Sequence, residues 1–228
     1  MTEHRDLPDD LSLRAHRRII GALGLVLPPV LYVLAGLRLT DGLPPWTVLR
    51  SVSAYYYTGA TGVFVGVLFA LSLFLFTYRG YKGVLVDRIV GIVAGAAAAA
   101  VALFPTSAPD GLSEPTWWTE TTGRIHHAAA TVLFLCFIVF SVWLFRKSSV
   151  PRRRDRPREK RRRDDVCLAC GIIMAVGVVW AFIAWNRQGS IFLPEAVAII
   201  AFAVSWLVKG EVQDSAGHLV KSVIERFQ

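Results

Sequence analysis

Long apolar runs separated by short polar segments dominate the chain. Six runs are long enough to be membrane spans, because about 20 apolar residues cross the hydrocarbon core of a bilayer as a helix. They lie at about 19–39, 57–78, 84–104, 126–146, 166–186 and 190–208. A segment in lipid must satisfy its own backbone hydrogen bonds, so we expect each run to be helical. The pattern predicts an all-α polytopic membrane protein, a bundle of six transmembrane helices within residues 19–210.

Composition and charge agree with this prediction. Of the 228 residues, 54% are hydrophobic and 18% are charged, whereas about a quarter of a soluble domain is charged. Of the 25 Lys and Arg, 21 fall on one side if both termini share that side. The positive-inside rule makes that side the cytoplasm. We therefore expect an inner (plasma) membrane protein with a cytoplasmic arm at 1–18 and both termini in the cytoplasm.

The strongest charge lies between the fourth and fifth runs. Arg146–Arg163 has a net charge of +9, and we expect a disordered basic cytoplasmic loop at 147–165. Such a loop attracts anionic lipid headgroups. It lacks the aromatic partners typical of single-stranded nucleic-acid binding, so no nucleic-acid role is predicted. In the tail at 211–228, apolar residues recur with helical spacing, which predicts an amphipathic cytoplasmic helix.

Polar residues collect at the predicted outer ends of the runs. Those that we expect to line an outward-facing pocket are Ser51, Ser53, Tyr55, Tyr56, Tyr57, His126, His127 and Glu195. Consecutive helical residues diverge by about 100°, so at least one tyrosine and one of the two histidines should face the bundle. A buried tyrosine hydroxyl needs a hydrogen-bond partner. The histidines and Glu195 are the expected partners.

The same residues have simpler interpretations. Tyrosines at the start of a span are typical of the aromatic belt at the membrane surface. Glu195 follows Pro194 at the start of a helix, where a carboxylate stabilises the helix dipole. Both interpretations stay open beside the pocket.

A metal site is a further alternative, with His126, His127 and Glu195 as its candidate ligands. Catalytic zinc sites use three protein ligands of these types, but the chain has neither HxxxH nor HExxH. We therefore expect no cofactor, with zinc as the alternative. No charged residue occupies the centre of a run, which disfavours a transporter. Gly91 and Gly95, four residues apart, predict a close-packing helix face.

Five stretches carry a resemblance: SVSAYYYTGATGVFVGVLF, TYRGY, VALFPT, HHAA and PEAVAIIAFAVSWLVKG. In this order they resemble a family of uncharacterised six-span bacterial integral membrane proteins. The Ser-x-x-Tyr-type stretch between the first two runs is more distantly similar to the DRAM/Sfk group. Both resemblances imply a six-span architecture and no established activity.

The chain also resembles the CREST superfamily of membrane hydrolases in its size and its polar helix ends. That resemblance implies a zinc-dependent hydrolase with a Ser-xxx-His motif. Here Tyr57 stands four residues after Ser53, where that pattern has histidine.

Taken together, the sequence predicts an integral membrane protein that binds a lipid or small amphiphile in an outer pocket, as an accessory, sensor or carrier rather than an enzyme. Membrane lipids are the expected partners, and a homo-oligomer stays open. The alternatives are a metal-dependent membrane hydrolase acting on lipids and a small-solute transporter.

Overall fold

Among the residues that the computed structural model describes, six α-helices form the fold. The structure describes residues 7–38, 43–78, 85–148, 150 and 152–224, with the side chains of 7–14 and 211–224 excepted. The helices are α1 (Leu7–Leu37), α2 (Thr61–Phe76), α3 (Leu85–Leu103), α4 (Glu120–Val142), α5 (Arg158–Asn186) and α6 (Phe192–Ile224). The described ranges contain helices, turns and loops but no β-strand.

Five helical segments in the described residues are long and apolar enough to cross a membrane. They are Ala15–Leu37, Leu85–Leu103, Glu120–Arg146, Arg158–Asn186 and Phe192–Gly210. These segments identify a multi-pass membrane protein. The predicted second span at 57–78 contains only the 16 residues of α2 as α-helix. At 1.5 Å per residue this helix is about 24 Å long, against a hydrocarbon core of about 30 Å.

The six helices form a closed ring. Each helix packs against the next one in the chain, and α6 closes the ring by packing against α1. Neighbours run antiparallel: an added Cβ at Gly21, early in α1, would lie 2.7 Å from Cγ of Leu207 in the last part of α6. The helix ends therefore form two clusters. We call the end with Ser51–Tyr57 and Glu195 the tyrosine end, and the end with Arg17 and Lys209 the arginine end.

Glycines set the close approach of α2 and α3. A Cβ on Gly91 would lie 2.9 Å from the carbonyl oxygen of Leu75, and one on Gly95 would lie 2.9 Å from that of Ser72. The Ser72 hydroxyl also donates to the Gly95 carbonyl at 2.8 Å. The predicted close-packing face of α3 is confirmed.

Aromatic side chains fill the ring towards the arginine end. The rings of Phe137 in α4 and Phe202 in α6 stack with centroids 3.6 Å apart. Trp206 is fully buried and meets the rings of Tyr78 and Phe140 edge-on, at 5.1 Å each. These contacts join α4 and α6 to each other and to Tyr78, two residues after the end of α2.

The described residues of the basic segment at 147–165, which exclude 149 and 151, differ from the disordered loop that the sequence predicts. Arg153–Asp155 form a 3-10 turn, and α5 begins at Arg158 rather than at 166. The physical reason is a buried carboxylate: Asp164 pairs with Arg156 at 2.8 Å and with Lys160, one helical turn away, at 2.5 Å. Pairing within the helix allows a charged sequence to stay helical.

Both ends of the chain also differ from the predicted boundaries. α1 begins at Leu7, so most of the predicted arm at 1–18 is helical, while residues 1–6 lie outside the described part. α6 runs without a break to Ile224, so the predicted tail helix is the end of α6 and not a separate element. Residues 225–228 lie outside the described residues.

Candidate functional site

A short 3-10 turn, Ser53–Tyr57, carries the three tyrosines at the tyrosine end. Ser51 starts it: the buried hydroxyl accepts a hydrogen bond from the Ala54 backbone N–H at 3.0 Å and lies 3.2 Å from the Ser53 hydroxyl. Serine favours such local side-chain to backbone bonds. The turn fixes Ser53 and the tyrosines ahead of α2.

The three tyrosine side chains point in three directions, because a 3-10 helix turns 120° per residue. Tyr55 is fully buried, and its hydroxyl donates to the Thr47 carbonyl at 3.4 Å. Tyr57 donates to the Thr106 carbonyl at 2.6 Å. Tyr56 is half-buried, with its ring against that of Tyr57 at 5.2 Å.

The expectation that the tyrosine hydroxyls pair with His126, His127 or Glu195 is therefore wrong. The hydroxyls of Tyr55 and Tyr57 meet backbone carbonyls of loops instead. Such carbonyls need donors when they are removed from water. Tyr55 and Tyr57 thus hold the loops at the tyrosine end together.

Tyr57 resists ionisation. Burial, and then the negative charge of Glu114, raises the pKa of its hydroxyl to about 12. Only a protonated phenol can donate to a carbonyl. The raised pKa therefore keeps the Tyr57–Thr106 bond intact to a higher pH than an ordinary tyrosine would allow.

Glu195 joins the start of α6 to the same turn. One carboxylate oxygen, Oε2, accepts a hydrogen bond from the Val52 backbone N–H at 2.7 Å. Next to it, the Ile191 N–H donates to the Arg50 carbonyl at 2.6 Å. The Arg50 guanidinium in turn donates to the Gln188 carbonyl at 2.8 Å. This set of bonds fastens residues 50–52 to residues 188–195.

The two histidines separate, as adjacent helical residues must. His126 is buried, and its Nδ1 lies 2.7 Å from the Phe104 carbonyl oxygen. A carbonyl only accepts, so Nδ1 carries a proton, and a ring with one proton leaves Nε2 as an acceptor. His127 points instead towards α5, with its ring 4.7 Å from that of Trp185. His126 is therefore the histidine that faces the bundle.

A cavity of about 70 Å³ lies inside the helix ring. This is more than the ~10–15 Å³ that one ordered water needs. Fourteen of its lining residues are apolar, from α1, α2, α3, α4, α6 and the segment before α2, and the other three are Ser53, His126 and Glu195. The cavity thus combines a long apolar wall with three polar groups supplied from one end of the ring.

The predicted site residues fall into two groups. Ser53, His126 and Glu195 line the cavity, and Ser51 supports Ser53. The rest of the predicted set lies outside the cavity wall; these residues are Tyr55, Tyr56, Tyr57 and His127. In the part of the chain that the structure describes, no three His, Cys, Asp or Glu side chains form a group suited to a metal ion.

Sequence reasoning missed the buried charges at the arginine end. Asp87 is 1% exposed and pairs with Lys147 at 2.8 Å, and buried Lys209 donates to the Phe145 carbonyl at 2.8 Å. One further ion pair of this end could have been found in the sequence, because Lys160 and Asp164 stand four residues apart, the spacing of pairs within a helix. The apolar residues of the cavity wall gave no signal, because in a membrane helix apolar residues occur on every face.

Comparison with known proteins gives a family and no activity. No curated protein and no solved structure matches the chain. Residues 52–209 match the family described as a protein of unknown function (DUF998). The match begins at Val52, whose N–H donates to Glu195. It covers α2 to α5 and the membrane part of α6. The chain belongs to the DUF998 family of proteins of unknown function.

Proposed function

We propose that this protein binds a single-chain, hydroxyl-bearing amphiphile in the cavity of the helix ring. The observation that carries the proposal is the composition of the cavity: fourteen apolar residues and, from the tyrosine end, Ser53, His126 and Glu195. Ligand pockets are typically apolar with a few polar groups that fix orientation. The cavity of about 70 Å³ is smaller than the ~300–1,000 Å³ of a typical ligand pocket. It would therefore hold the polar group and the first carbons of the chain, and the rest of the chain would extend between the helices.

The polar groups favour a ligand with hydrogen-bond donors. The bond to Phe104 leaves the second ring nitrogen of His126 as an acceptor, and the Glu195 carboxyl offers oxygen atoms that accept, one of which binds the Val52 N–H. The Ser53 hydroxyl can donate or accept. A glycerol or alcohol headgroup therefore suits this set better than a phosphate, which would bring acceptors to acceptors.

The proposed architecture has six spans with both termini in the cytoplasm of the inner membrane. Counting α2 as a span raises the number of spans from five to six. It lies between α1 and α3 in the ring and is uncharged throughout. The 3-10 turn Ser53–Tyr57 precedes it and lengthens the structured segment. Basic residues concentrate at the arginine end, which the positive-inside rule places in the cytoplasm.

Filling the cavity tests the proposal directly. Ala130 lines the cavity, and Ala128, two residues earlier on α4, is exposed. The probe is a photoreactive monoacylglycerol, with crosslinking to the detergent-solubilised full chain read by mass spectrometry. We expect Ala130→Leu to reduce crosslinking at least tenfold, while Ala128→Leu keeps it. Equal labelling of both variants, or crosslinks that map outside the cavity wall, would show that the cavity is not the binding site.

A second pair of measurements tests the headgroup. A photoreactive phosphatidic acid of the same chain length should crosslink to the cavity much less than the monoacylglycerol does. Glu195→Gln keeps an oxygen acceptor for the Val52 N–H and loses the charge, so we expect a folded protein with altered headgroup preference. Stronger cavity labelling by the phosphate lipid would contradict the assignment of a hydroxyl-bearing ligand.

Metal content separates this proposal from a metal-dependent hydrolase. The protein would be purified without a histidine tag and measured beside Glu195→Ala. About one equivalent of zinc, lost in the variant, would favour the hydrolase and overturn the binding role. Metal well below one equivalent in both proteins is the result that we expect.

A further inference from the structure

A second candidate site lies at the arginine end, on the outer surface of α5. A groove of about 870 Å³ runs between the 3-10 turn Arg153–Asp155 and the first turns of α5. Its lining residues are Arg153, Arg154, Arg158, Arg161, Arg162, Asp165, Val166 and Ala169. The formal charge of this lining is +4. It is thus the opposite in chemistry of the nearly apolar cavity at the ring centre.

Most of this positive charge is not compensated by neighbouring residues. Arg153 pairs with Asp165, and Arg154 lies 3.7 Å from Asp155. Among the described residues, Arg158, Arg161 and Arg162 form no ion pair.

One atom of the groove residues is buried without a partner. The Nε of Arg161 is removed from solvent and has no hydrogen-bond partner in the described part of the chain. A buried polar atom of this kind needs an explanation in the form of an ion, a water or a ligand. An anion in the groove would supply that partner once the Arg161 side chain turns its Nε towards the groove.

The groove continues into an apolar face. One stripe of α5 runs through residues spaced alternately by four and three, namely Arg158, Arg162, Asp165, Ala169, Ile172, Val176, Val179 and Ile183. Ile172, Val176, Val179 and Ile183 are 45–59% exposed. From Ala169 to Ile183 the stripe is about 21 Å long at 1.5 Å per residue. That length exceeds one leaflet of a ~30 Å hydrocarbon core.

We propose that this groove and stripe bind a phosphate-headed membrane lipid, with the phosphate on the arginines and an acyl chain along α5. Charge complementarity selects the headgroup, because the arginine guanidinium binds phosphate with paired N–H donors. The first turn of a helix also favours an anion. The continuity of the stripe selects a lipid over a soluble anion, since only a lipid contacts both parts.

The occupant differs from that of the central cavity. The cavity has acceptor groups and takes a neutral headgroup at the tyrosine end, whereas this groove has only donors apart from Asp165. The two sites lie at opposite ends of the ring. The groove proposal therefore does not depend on the proposed function of the cavity.

Native mass spectrometry of the detergent-solubilised full chain, titrated with dioleoyl phosphatidic acid, tests the proposal. The groove variant is Arg158→Gln with Arg162→Gln. The control is Arg88→Gln with Arg152→Gln, two exposed arginines outside the groove lining. At about 1 kcal/mol for each arginine near the surface, we expect about 30-fold weaker binding in the groove variant. The control should change binding by less than about threefold, because neither of its side chains lines the groove. Equal losses in both variants would overturn the proposal.

Three further arms identify the source of the phosphate. Dioleoyl phosphatidylcholine should bind much more weakly than phosphatidic acid, and glycerol 3-phosphate should not compete at lipid concentrations. A single-stranded oligonucleotide should not displace the lipid. Effective competition by either soluble anion would show that the groove is a general anion site, and would contradict a lipid site.

A last variant keeps all the arginines. Ala169→Glu places a carboxylate in the groove, and Ala169→Gln adds the same bulk without the charge. We expect Ala169→Glu to lose at least tenfold in affinity for phosphatidic acid relative to Ala169→Gln. Equal affinities would place the phosphate elsewhere.

Discussion

At the scale of single residues, the tyrosine end depends on side chains that bind backbone carbonyls. The short bond from Tyr57 to Thr106 joins the turn before α2 to the loop after α3. Tyr56, one residue earlier, has no hydroxyl bond of this kind among the described residues. These neighbours therefore form a natural pair for comparison.

The ionisation of Tyr57 is a testable consequence of its burial. Its pKa is raised to about 12 from the ordinary value of 10.0. The folded protein thus holds this proton more tightly than the unfolded chain, and the stabilisation is complete below pH ~10 and is lost as the pH rises to ~12. We expect the late component of the tyrosinate absorbance titration, near pH 12, to be smaller by one tyrosine in Tyr57→Phe.

Tyr56→Phe is the control, and its titration should keep that component. The free energy of unfolding of Tyr57→Phe should also be lower at neutral pH by about 1 kcal/mol, the net contribution of one hydrogen bond. A late component of undiminished size in Tyr57→Phe would show that Tyr57 does not contribute to it.

Two neighbouring aspartates test the reason why α5 begins early. The Asp164 side chain is 3% exposed and pairs with Arg156 and Lys160, whereas that of Asp165 is 52% exposed and pairs with Arg153. Removing one partner of a buried ion pair costs ~3–5 kcal/mol, while an exposed pair contributes ~0–1 kcal/mol. We expect Asp164→Asn to be destabilised far more than Asp165→Asn when the two variants are unfolded by sodium dodecyl sulfate in mixed micelles. Equal destabilisation would mean that Asp164 is not what orders residues 156–165.

At the scale of the helices, the contact of α2 with α3 depends on glycine. A Cβ on Gly95 would lie 2.9 Å from the Ser72 carbonyl oxygen, whereas one on Gly66 would meet nothing within 4 Å. Overpacking a tight contact costs ~1–3 kcal/mol, and alanine is a better helix former than glycine.

We therefore expect Gly95→Ala to lower the melting temperature in detergent and Gly66→Ala to leave it unchanged or raise it slightly. Replacing glycine by alanine should therefore lower the melting temperature at the tight contact and should not lower it at the open position. A stable Gly95→Ala would indicate that α2 and α3 can separate without loss.

The helices were largely predictable from sequence, and their ends were not. Apolar runs predict helices in lipid because the backbone has no other way to satisfy its hydrogen bonds. The ends depend on particular pairs: Asp164 orders a segment whose charge alone predicts disorder. α2 is shorter than predicted because the residues before it form a 3-10 turn with its own side-chain bonds.

The candidate site was predictable in composition and not in detail. The clustering of hydroxyls, imidazoles and a carboxylate at one end follows from the antiparallel order of the spans. Which of them reach the cavity depends on the turn geometry that separates Ser53 from Tyr55. It also depends on the local rotation of α4 that selects His126 over His127.

At the scale of the whole molecule, the orientation in the membrane can be measured. Thr116 lies in the exposed loop between α3 and α4, and Arg154 in the basic segment before α5. In intact cells, a membrane-impermeant maleimide should label Thr116→Cys and not Arg154→Cys. The three native cysteines, Cys136, Cys167 and Cys170, are buried and give a low background.

Permeabilised membranes supply the control, since both variants should then react. Labelling of Arg154→Cys alone in intact cells would invert the proposed orientation. Labelling of both in intact cells would contradict an odd number of crossings between them.

The closed order of the ring has a consequence for how the protein is made. Helices α2 to α5 can each pack against the preceding helix as soon as both have been synthesised, since neighbours in the chain are neighbours in space. α6 comes last of the six, and it packs against both the helix made just before it, α5, and the helix made first, α1. It also supplies Glu195, which accepts a hydrogen bond from the Val52 N–H. Until α6 is in place, the cavity lacks the wall that Glu195, Ile199 and Phe202 supply. The cavity is therefore complete only after the last helix has been synthesised.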